Sequence, residues 1–364
     1  MYSFEPTEEQ KMLIDTVARY ASSNLRPASH DADEEGHIPV NLIKKGWELG
    51  VLQASTPEMY GGFGEHSAVT GVLAAEEMAF GDLAGAISVM SPGLFAIPIL
   101  IAGSEEQKIE YLPPIVEGDW TAYTAALIEP YYDFDPNDLK TTATLDGNEF
   151  VLSGEKSYVP YVRDAKTMIV YAALNGKPQG FIVQNELSGI QIGERQKMLG
   201  INALPVHTVK FDGVRVPVAK RLGGVEGHEF QPILASLWLA SAAMALGVSK
   251  AALEYAINYA KDRDVFGMKV AQKQSIAFMM AEMATEIEAI RVLTWEAAWS
   301  LDKGKEDAYK GSYLAYTGAA DMAMMVTDRA VQILGGHGYI REHPVEKWMR
   351  EGRSFAMLNG LAIV

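Results

Sequence analysis

Two short stretches of the chain carry residues suited to holding a phosphate-bearing ligand. In the run QILGGHG, Gly335 and Gly336 permit positive φ and a close backbone approach, which suits amide groups that face a phosphate. In RDVFG, Arg263 offers paired N–H donors that can hold a diphosphate. An isolated GGHG is more often a helix end and turn, and a cation such as Arg263 also suits the C-terminal end of a helix, so both interpretations stay open here.

The elements that position these residues can be predicted from periodicity. From Thr7 to Asp119 apolar residues recur at spacings of three and four, which predicts helices, with Thr7 as an N-cap before acidic residues. Short β-branched and aromatic runs then follow, separated by DG, NG and SG turns, which predicts an antiparallel β domain. Long helices rich in Ala and Met end the chain. The prediction is an α+β protein with domains 1–119, 120–226 and 227–364.

Composition excludes several classes of function. The net charge of −16 argues against a nucleic-acid partner and against an anionic membrane surface. The absence of cysteine excludes disulfides, thiolate metal sites and a cysteine nucleophile, and the seven histidines show no metal-ligand spacing. The N-terminus has acids too early for a signal peptide, and no apolar run reaches the roughly 18 residues of a spanning helix. These features predict a soluble, cytoplasmic protein.

Four long stretches resemble the acyl-CoA dehydrogenase flavoproteins. They are GSEEQKIEYLPPIVEGDW, LGINALPVHTVKFDGVRVP, RDVFGMKVAQKQSIAFMMAEM and QILGGHGYIREHPVEKWMRE. With AEEMA and PEMYGGFG they extend the resemblance over nearly the whole chain. It implies an N-terminal helical domain, a central β domain and a C-terminal four-helix domain. It also implies FAD as cofactor, an acyl-CoA thioester substrate, a dimer or tetramer, and electron transfer to an electron-transferring flavoprotein.

The resemblance places six residues at the ADP half of an FAD that is bound mainly by a neighbouring subunit. We call these six residues the ADP-side half-site, and all of them match the pattern of the family. They are Arg263, Phe266, Gln274, Gln332, Gly335 and Gly336.

The segments that face the flavin ring in the family are altered in this chain. Residues 128–135 read IEPYYDFD where the family has T-E-P-G-A-G-S-D, so bulky rings replace groups that leave room near the isoalloxazine. In GEKSYVP, Pro160 replaces a Thr or Ser that donates a hydrogen bond to the flavin, and proline has neither a hydroxyl nor an N–H. Tyr158 is the residue of this segment that we expect to lie against the ring.

The catalytic base of the family is also replaced. Dehydrogenation at the α and β carbons needs a carboxylate that removes the α-proton, and the resemblance places it at Asn359, after Arg350 and Glu351. An amide cannot take that proton at a useful pH. Some family members carry the base on the first long helix of the C-terminal domain, where this chain has Leu237 followed by Trp238. No catalytic residue is therefore predicted in this chain.

The losses fall on the base and on the ring-side segments, whereas the ADP-side half-site survives. This pattern favours a non-catalytic subunit that completes the FAD site of a paralogous acyl-CoA dehydrogenase subunit, as in the hetero-oligomers of some bacterial family members. Three alternatives stay open. The first is a homo-oligomeric flavoenzyme with altered chemistry on an acyl-CoA, and the second is a pseudoenzyme that binds no flavin. The third is a standard dehydrogenase with a displaced base, for which the available carboxylates are Asp133, Asp135 and Glu229.

Overall fold

The computed structural model describes residues 6–356 and 359–364, and its elements follow the predicted order of helices, sheet and helices. Helices form the first third of the described chain, and a short π-helical turn at Ala21–Leu25 joins the first two of them. The eight α-helices of this part are α1 (Glu8–Tyr20), α2 (Arg26–Glu35), α3 (Val40–Trp47), α4 (Val51–Ala54), α5 (Ala68–Gly81), α6 (Leu83–Met90), α7 (Gly93–Ala102) and α8 (Glu105–Val116).

Two of these helices begin with a reciprocal capping box. Thr7 Oγ1 accepts a hydrogen bond from the Gln10 N–H at 3.2 Å, while Gln10 Oε1 accepts one from the Thr7 N–H at 2.9 Å. Ser104 and Gln107 repeat the arrangement at the start of α8. Each box satisfies N–H groups that the helix itself leaves without a partner, and the acids in the first turn complement the helix dipole. The predicted N-cap at Thr7 is confirmed.

A seven-stranded sheet follows the helices, in the order β1-β4-β2-β3-β7-β6 with β5 paired to β4. Most neighbours are antiparallel, as predicted, but β1 and β2 each pair with β4 in parallel. Local sequence cannot specify these two pairings, because they depend on where the long connections return the chain. The strands are β1 (Thr124–Ala126), β2 (Thr142–Asp146), β3 (Glu149–Pro160), β4 (Thr167–Leu174), β5 (Lys177–Gln184), β6 (Ile190–Arg195) and β7 (Val206–Pro217).

Strand β3 is irregular near its end. Its pairing with β7 shifts register between Lys156 and Val159, and within that interval Tyr158 has a φ of +53°. A positive φ is costly for an aromatic residue, so the surrounding contacts must hold it. The bulge redirects the side chain of Tyr158 at the place where the sheet meets the C-terminal helices.

The C-terminal part is built from three long helices and one short one. Ala-rich α9 runs through its centre and packs against α10 and α11, and a two-stranded hairpin joins α9 to α10. By length and composition α9 could cross a membrane, but 94% of its most apolar window is buried inside the protein, as in the core helix of a bundle. The elements are α9 (Gln231–Asp262), β8 (Asp264–Val265), β9 (Met268–Lys269), α10 (Gln274–Asp302), α11 (Ala308–Leu334) and α12 (Val345–Gly352).

Two cations of α12 fasten it to the rest of the chain. Lys347 lies 2.6 Å from Asp82 in the N-terminal part and 2.7 Å from Glu351 on its own helix, and all three side chains are buried. Arg350 donates to Asp33 at 2.6 Å and to the Leu199 carbonyl at 3.0 Å. These contacts connect α12 to both other parts of the chain, so the segment that follows α12 starts from a fixed position.

The buried carboxyl of Glu351 generates a prediction about pH. Burial raises its pKa from an ordinary value near 4.5 to about 7, because Lys347 offsets burial only in part and Asp82 repels a second negative charge. The folded chain therefore holds a proton that the unfolded chain releases. The contribution of this group to the free energy of unfolding is complete below pH 4.5 and is lost as the pH rises through about 7.

We expect Glu351→Gln, which cannot ionise, to become more stable relative to the wild type as the pH rises. The difference in unfolding free energy, variant minus wild type, should increase by on the order of 2 kcal/mol between pH 5 and pH 8. Urea unfolding at several pH values measures this difference. Glu306→Gln, at an exposed acid, is the control and should show no trend with pH. A flat difference for Glu351→Gln would contradict the prediction.

Candidate functional site

A cleft of about 960 Å³ lies between the sheet and the C-terminal helices. Its walls come from the segment after β1, from the bulge of β3, from α9 and α11, and from the segment after α12. The lining residues that this structure describes are Ile128, Glu129, Pro130, Tyr131, Tyr132, Phe134, Asp135, Pro136, Asn137, Ser157, Tyr158, Gln196, Thr208, Trp238, Tyr309, Lys310, Tyr313, Tyr316, Ala356 and Asn359.

Asn359 lies in this cleft, at the position predicted for the missing base. Its side chain is 7% exposed, and its Oδ1 is buried without a hydrogen-bond partner in the described chain. The next residue, Gly360, has a φ of +109°, and a Cβ there would lie 3.2 Å from the Leu127 side chain. Only glycine suits that backbone. The Asn-Gly turn therefore packs closely against the segment after β1, with an amide aimed where the chemistry would need a carboxylate.

Only two carboxylates line the cleft within the described residues, and both are occupied by other contacts. Glu129 is buried and accepts hydrogen bonds from Lys156 Nζ at 2.9 Å and from the N–H groups of Lys140 and Thr141. Burial alone would raise the pKa of Glu129, but these donors lower it, so it stays ionised and is a poor proton acceptor. Asp135 is exposed and accepts from the Asn137 N–H at 2.8 Å.

The other candidate positions for the base do not place a carboxylate in the cleft. Asp133 and Glu229 are exposed and do not line the cleft. At the alternative base position on α9, Leu237 is 2% exposed and Trp238 is 4% exposed. The Trp238 ring stacks on Tyr316 with an interplanar angle of 13°, and Tyr309 and Tyr313 complete an aromatic wall. The described cleft therefore contains no free, buried carboxylate that could serve as a displaced base.

Phe134 of the segment after β1 packs against the core, but the two tyrosine rings of this segment do not fill the cleft. Tyr131 is 44% exposed, and Tyr132 is fully exposed at 107%. The space near the altered segments therefore stays open, although the hydroxyl and the glycines of the family pattern are missing.

Two polar residues that sequence reasoning missed, Gln196 and Ser157, support the bulge. The Tyr158 N–H donates to Gln196 Oε1 at 2.7 Å, and Gln196 Nε2 donates to Ser157 Oγ at 2.9 Å. Thr208, on the neighbouring strand, also lines the cleft. Gln196 thus stabilises the positive φ of Tyr158 from outside strand β3. No local motif marks Gln196, since it lies 38 positions away along the chain.

The ADP-side half-site lies at the far end of α9 and is open to solvent. Arg263 is exposed immediately after α9, and its guanidinium has no ion pair or hydrogen bond within residues 6–356 and 359–364. Phe266, in the turn between β8 and β9, is 95% exposed with a φ of +55°. Lys273 Nζ lies 5.5 Å from the centroid of this ring. An exposed aromatic ring and cations therefore occur together at this end of α9, which is suited to a ligand that brings both a ring and negative charge.

The other four residues of the half-site adjoin this turn. Arg329 and Glu282 are 2.6 Å apart, which sets the start of α10 beside the end of α11. Gln274 opens α10 and Gln332 lies near the end of α11, and both are exposed. Gly335 and Gly336 follow with open space around them, and Gly335 has a φ of +61°. The structure therefore brings the six predicted residues to one end of the bundle, and their role in binding an ADP group stays a prediction.

Tyr158 does not join them. It lines the cleft near Trp238, whereas Arg263 ends the same helix 25 residues later, about 37 Å away along the helix axis. Within one chain the ring-side and ADP-side residues therefore form two separate sites. A cofactor that touches both kinds of site must lie between two subunits.

Comparison with known proteins places the whole chain in one family. Three family models match in order: the acyl-CoA dehydrogenase N-terminal domain at residues 7–119, the middle domain at 124–214 and the C-terminal domain at 235–362. The chain is 34% identical to an acyl-CoA dehydrogenase of Bacillus subtilis (strain 168), over 97% of this chain and 95% of that protein. It is also 34% identical to the mitochondrial short-chain specific acyl-CoA dehydrogenase of Sus scrofa, over 98% of this chain and 88% of that protein.

A solved structure gives the same assignment. Butyryl-CoA dehydrogenase from Megasphaera elsdenii superposes with a TM-score of 0.89 at 31% identity, over 99% of this chain and 96% of that one. The fold and the family models thus define the class, which is that of flavin-dependent oxidoreductases. The chain belongs to the acyl-CoA dehydrogenase family, and the predicted resemblance and fold are confirmed. The cofactor of this family is FAD.

The buried pair of Lys156 and Glu129 yields a prediction about the cleft. Removing one member of a buried ion pair leaves the other charge without compensation. We expect Lys156→Met to lower the free energy of unfolding by about 3 kcal/mol or more at neutral pH. The matched control is Lys140→Met, which keeps its N–H bond to Glu129 and loses only an exposed contact to Asp138.

Urea unfolding of the two variants measures this contrast. The control substitution should lower the free energy of unfolding by less than about 1 kcal/mol. Equal losses in the two variants would mean that the buried pair does not hold the cleft wall in place.

Proposed function

We propose that this chain is the non-catalytic subunit of a hetero-oligomeric acyl-CoA dehydrogenase, in which it completes the FAD site of a paralogous catalytic subunit. The observation that carries the proposal is the amide of Asn359 at the base position of a cleft without a free buried carboxylate. A chain of this family without that base cannot remove the α-proton of an acyl-CoA by the usual route. The cytoplasmic location expected from the acidic sequence is part of the same proposal.

The exposed half-site supports the second element of the proposal. Arg263 is charged at any working pH, and Phe266 is a large apolar side chain left almost fully in water. A cation and a large exposed ring, with Lys273 Nζ 5.5 Å from the centroid of the Phe266 ring, suit a surface that a partner and its cofactor cover. A paralogous subunit that supplies the ring-side pocket would bring the missing part of the FAD site to these residues.

The role of each subunit in such a complex follows from the residues of this chain. The partner contributes the carboxylate and the ring-side pocket, and FAD, when bound, accepts the hydride from the β-carbon of the acyl-CoA. This chain binds and orients the ADP half through Arg263 and the Gly335–Gly336 amides, and it excludes water from that end of the cofactor. An electron-transferring flavoprotein is the expected acceptor of the electrons.

One observation favours a second candidate. The cleft is open at about 960 Å³, and its exposed tyrosines do not close it. A pocket of this size can hold a ligand. The second candidate is therefore a homo-oligomeric flavoenzyme that acts on an acyl-CoA by chemistry without α-proton removal by a glutamate.

Flavin content separates the two candidates. Expressed alone, this chain should purify without stoichiometric FAD, because the hydroxyl and glycines of the family pattern at 128–135 are missing and Pro160 has no donor. Absorbance near 450 nm, compared with protein concentration, measures the content. A yellow protein with one FAD per chain would support the homo-oligomeric flavoenzyme and exclude the partner role.

The role of Arg263 can be tested in the reconstituted complex. Arg263→Ala should weaken FAD binding tenfold or more, because a charge-assisted contact with the diphosphate contributes about 1.5–3 kcal/mol. Lys261→Ala is the matched control, since Lys261 is an exposed cation in the last turn of the same helix. Titration of FAD, followed by quenching of flavin fluorescence, gives both affinities. Equal affinity in wild type and Arg263→Ala would exclude a role for the half-site in cofactor binding.

A further inference from the structure

Two arginines at one edge of the sheet have no carboxylate partner. Arg163, three residues after β3, donates from Nη2 to the Gly193 carbonyl of β6 at 2.9 Å. Arg195, the last residue of β6, donates from Nη2 to the Asn202 carbonyl at 2.6 Å. In the part of the chain that the structure describes, neither guanidinium forms an ion pair, and both side chains are exposed. Each guanidinium therefore keeps most of its N–H donors free for another acceptor.

The fold attaches these two arginines to the same short stretch of the edge strand β6. Strand β7 lies between β3 and β6, so the Arg163 side chain must reach past β7 to contact Gly193. Gly193 and Arg195 are two positions apart on β6, which corresponds to about 7 Å along the strand. Two permanent positive charges are therefore held at one place on the edge of the sheet.

A buried histidine lies beside both arginines. His207 of β7 pairs with Arg195 on one side and with Val159 of β3 on the other. It is 5% exposed, and its Nδ1 is buried without a hydrogen-bond partner in the described chain. Burial lowers the pKa of His207, and Arg163 and Arg195 lower it further, although Asp164 opposes them. Both guanidinium groups are thus near enough to act on the same buried ring.

The other two arginines of the sheet domain are satisfied within the chain. Arg215 of β7 lies 2.5 Å from Asp146 and 2.9 Å from Glu149. Arg221 donates from Nε, Nη1 and Nη2 to three oxygens of the chain. The chain as a whole has a net charge of −16, so acidic partners for a surface cation are plentiful. Two neighbouring cations without such a partner repel each other, and an anion bound between them removes that repulsion.

We propose that Arg163 and Arg195, beside the buried ring of His207, form a binding site for a phosphate group. A guanidinium presents paired N–H donors to a phosphate, and two guanidinium groups from different segments can hold it from two sides. None of these three residues lines the cleft, and His207 points to the opposite face of the sheet from its neighbour Thr208, which does. The site is therefore separate from the cleft, and the inference does not depend on the proposed function.

The test follows the His207 ring by NMR in the full chain with isotope-labelled histidine. Inorganic phosphate replaces sodium chloride at constant ionic strength and constant pH, and the signal that is missing in His207→Gln identifies the ring. The His207 signal should shift and then saturate, with half-saturation on the order of 1 mM, as expected for two charge-assisted contacts. His30, an exposed histidine of α2, is the internal control, and its signal should stay in place.

Variants of the two arginines separate binding from structure. Arg163→Gln and Arg195→Gln keep an N–H donor for the backbone carbonyl but lose the charge, so the fold should persist. Each should weaken phosphate binding tenfold or more. Arg163→Lys keeps the charge without the paired donors, so its affinity should lie between those of Arg163→Gln and the wild type. Arg215→Gln is the matched control on the same sheet and should bind phosphate within about twofold of the wild type.

A second titration, with adenosine monophosphate, distinguishes two sources of the phosphate group. Tighter binding than that of inorganic phosphate indicates an organic phosphate, whereas equal or weaker binding indicates the free ion.

Two outcomes would overturn the inference. The first is a His207 signal that does not saturate with millimolar phosphate, and the second is equal affinity in the wild type and in both glutamine variants. The two arginines would then serve only to hold backbone carbonyls. The proposed function is tested separately, by the FAD content of the chain purified alone and by FAD binding to Arg263→Ala in the complex.

Discussion

The attachment of α12 to the other two parts of the chain determines where the cleft residues lie. Arg350 contacts Asp33 in the N-terminal part and the Leu199 carbonyl in the loop between β6 and β7, and Lys347 reaches the buried Asp82. Because these cations are largely buried, each is tolerated only with its partners in place. The segment that carries Asn359 continues from this fixed helix. The chain therefore has Asn359 in the cleft on a scaffold that keeps the family fold.

The length of α9 separates two binding regions that a single cofactor must join. One end of the helix contributes Trp238 to the aromatic wall of the cleft, and the other end presents Arg263 to solvent. Under the proposed function, the region at the end of α9 serves the cofactor of a neighbouring subunit, whereas the cleft does not hold a cofactor by itself. Selection can then act on the two regions independently. Altered residues around the cleft and intact residues at the helix end are consistent with such independent selection.

Much of the fold could be predicted from the sequence, because helical and strand periods are local properties. The half-site and Asn359 were found through long motifs that keep the order and spacing of the family. The parallel pairing of β1 with β4 could not be predicted, since it depends on the return of a long connection. The same holds for Gln196 at the bulge and for the bond between Arg350 and Asp33, which spans 317 positions. Such contacts depend on the three-dimensional arrangement, and no short pattern of residues marks them.

The segment after Asn359 has a consequence for how the protein is made. Val364 packs against Gly71 of α5, where a Cβ would lie 2.6 Å from the valine side chain, and Ile363 lies beside Gly93 at the start of α7. The core of the first part of the chain is therefore completed by residues that leave the ribosome almost 300 positions later. Until then the parts of α5 and α7 around Gly71 and Gly93 lack this cover. Chaperone binding during synthesis is expected to concentrate on these two helices, and the rate of folding should depend on how soon the distal segment returns.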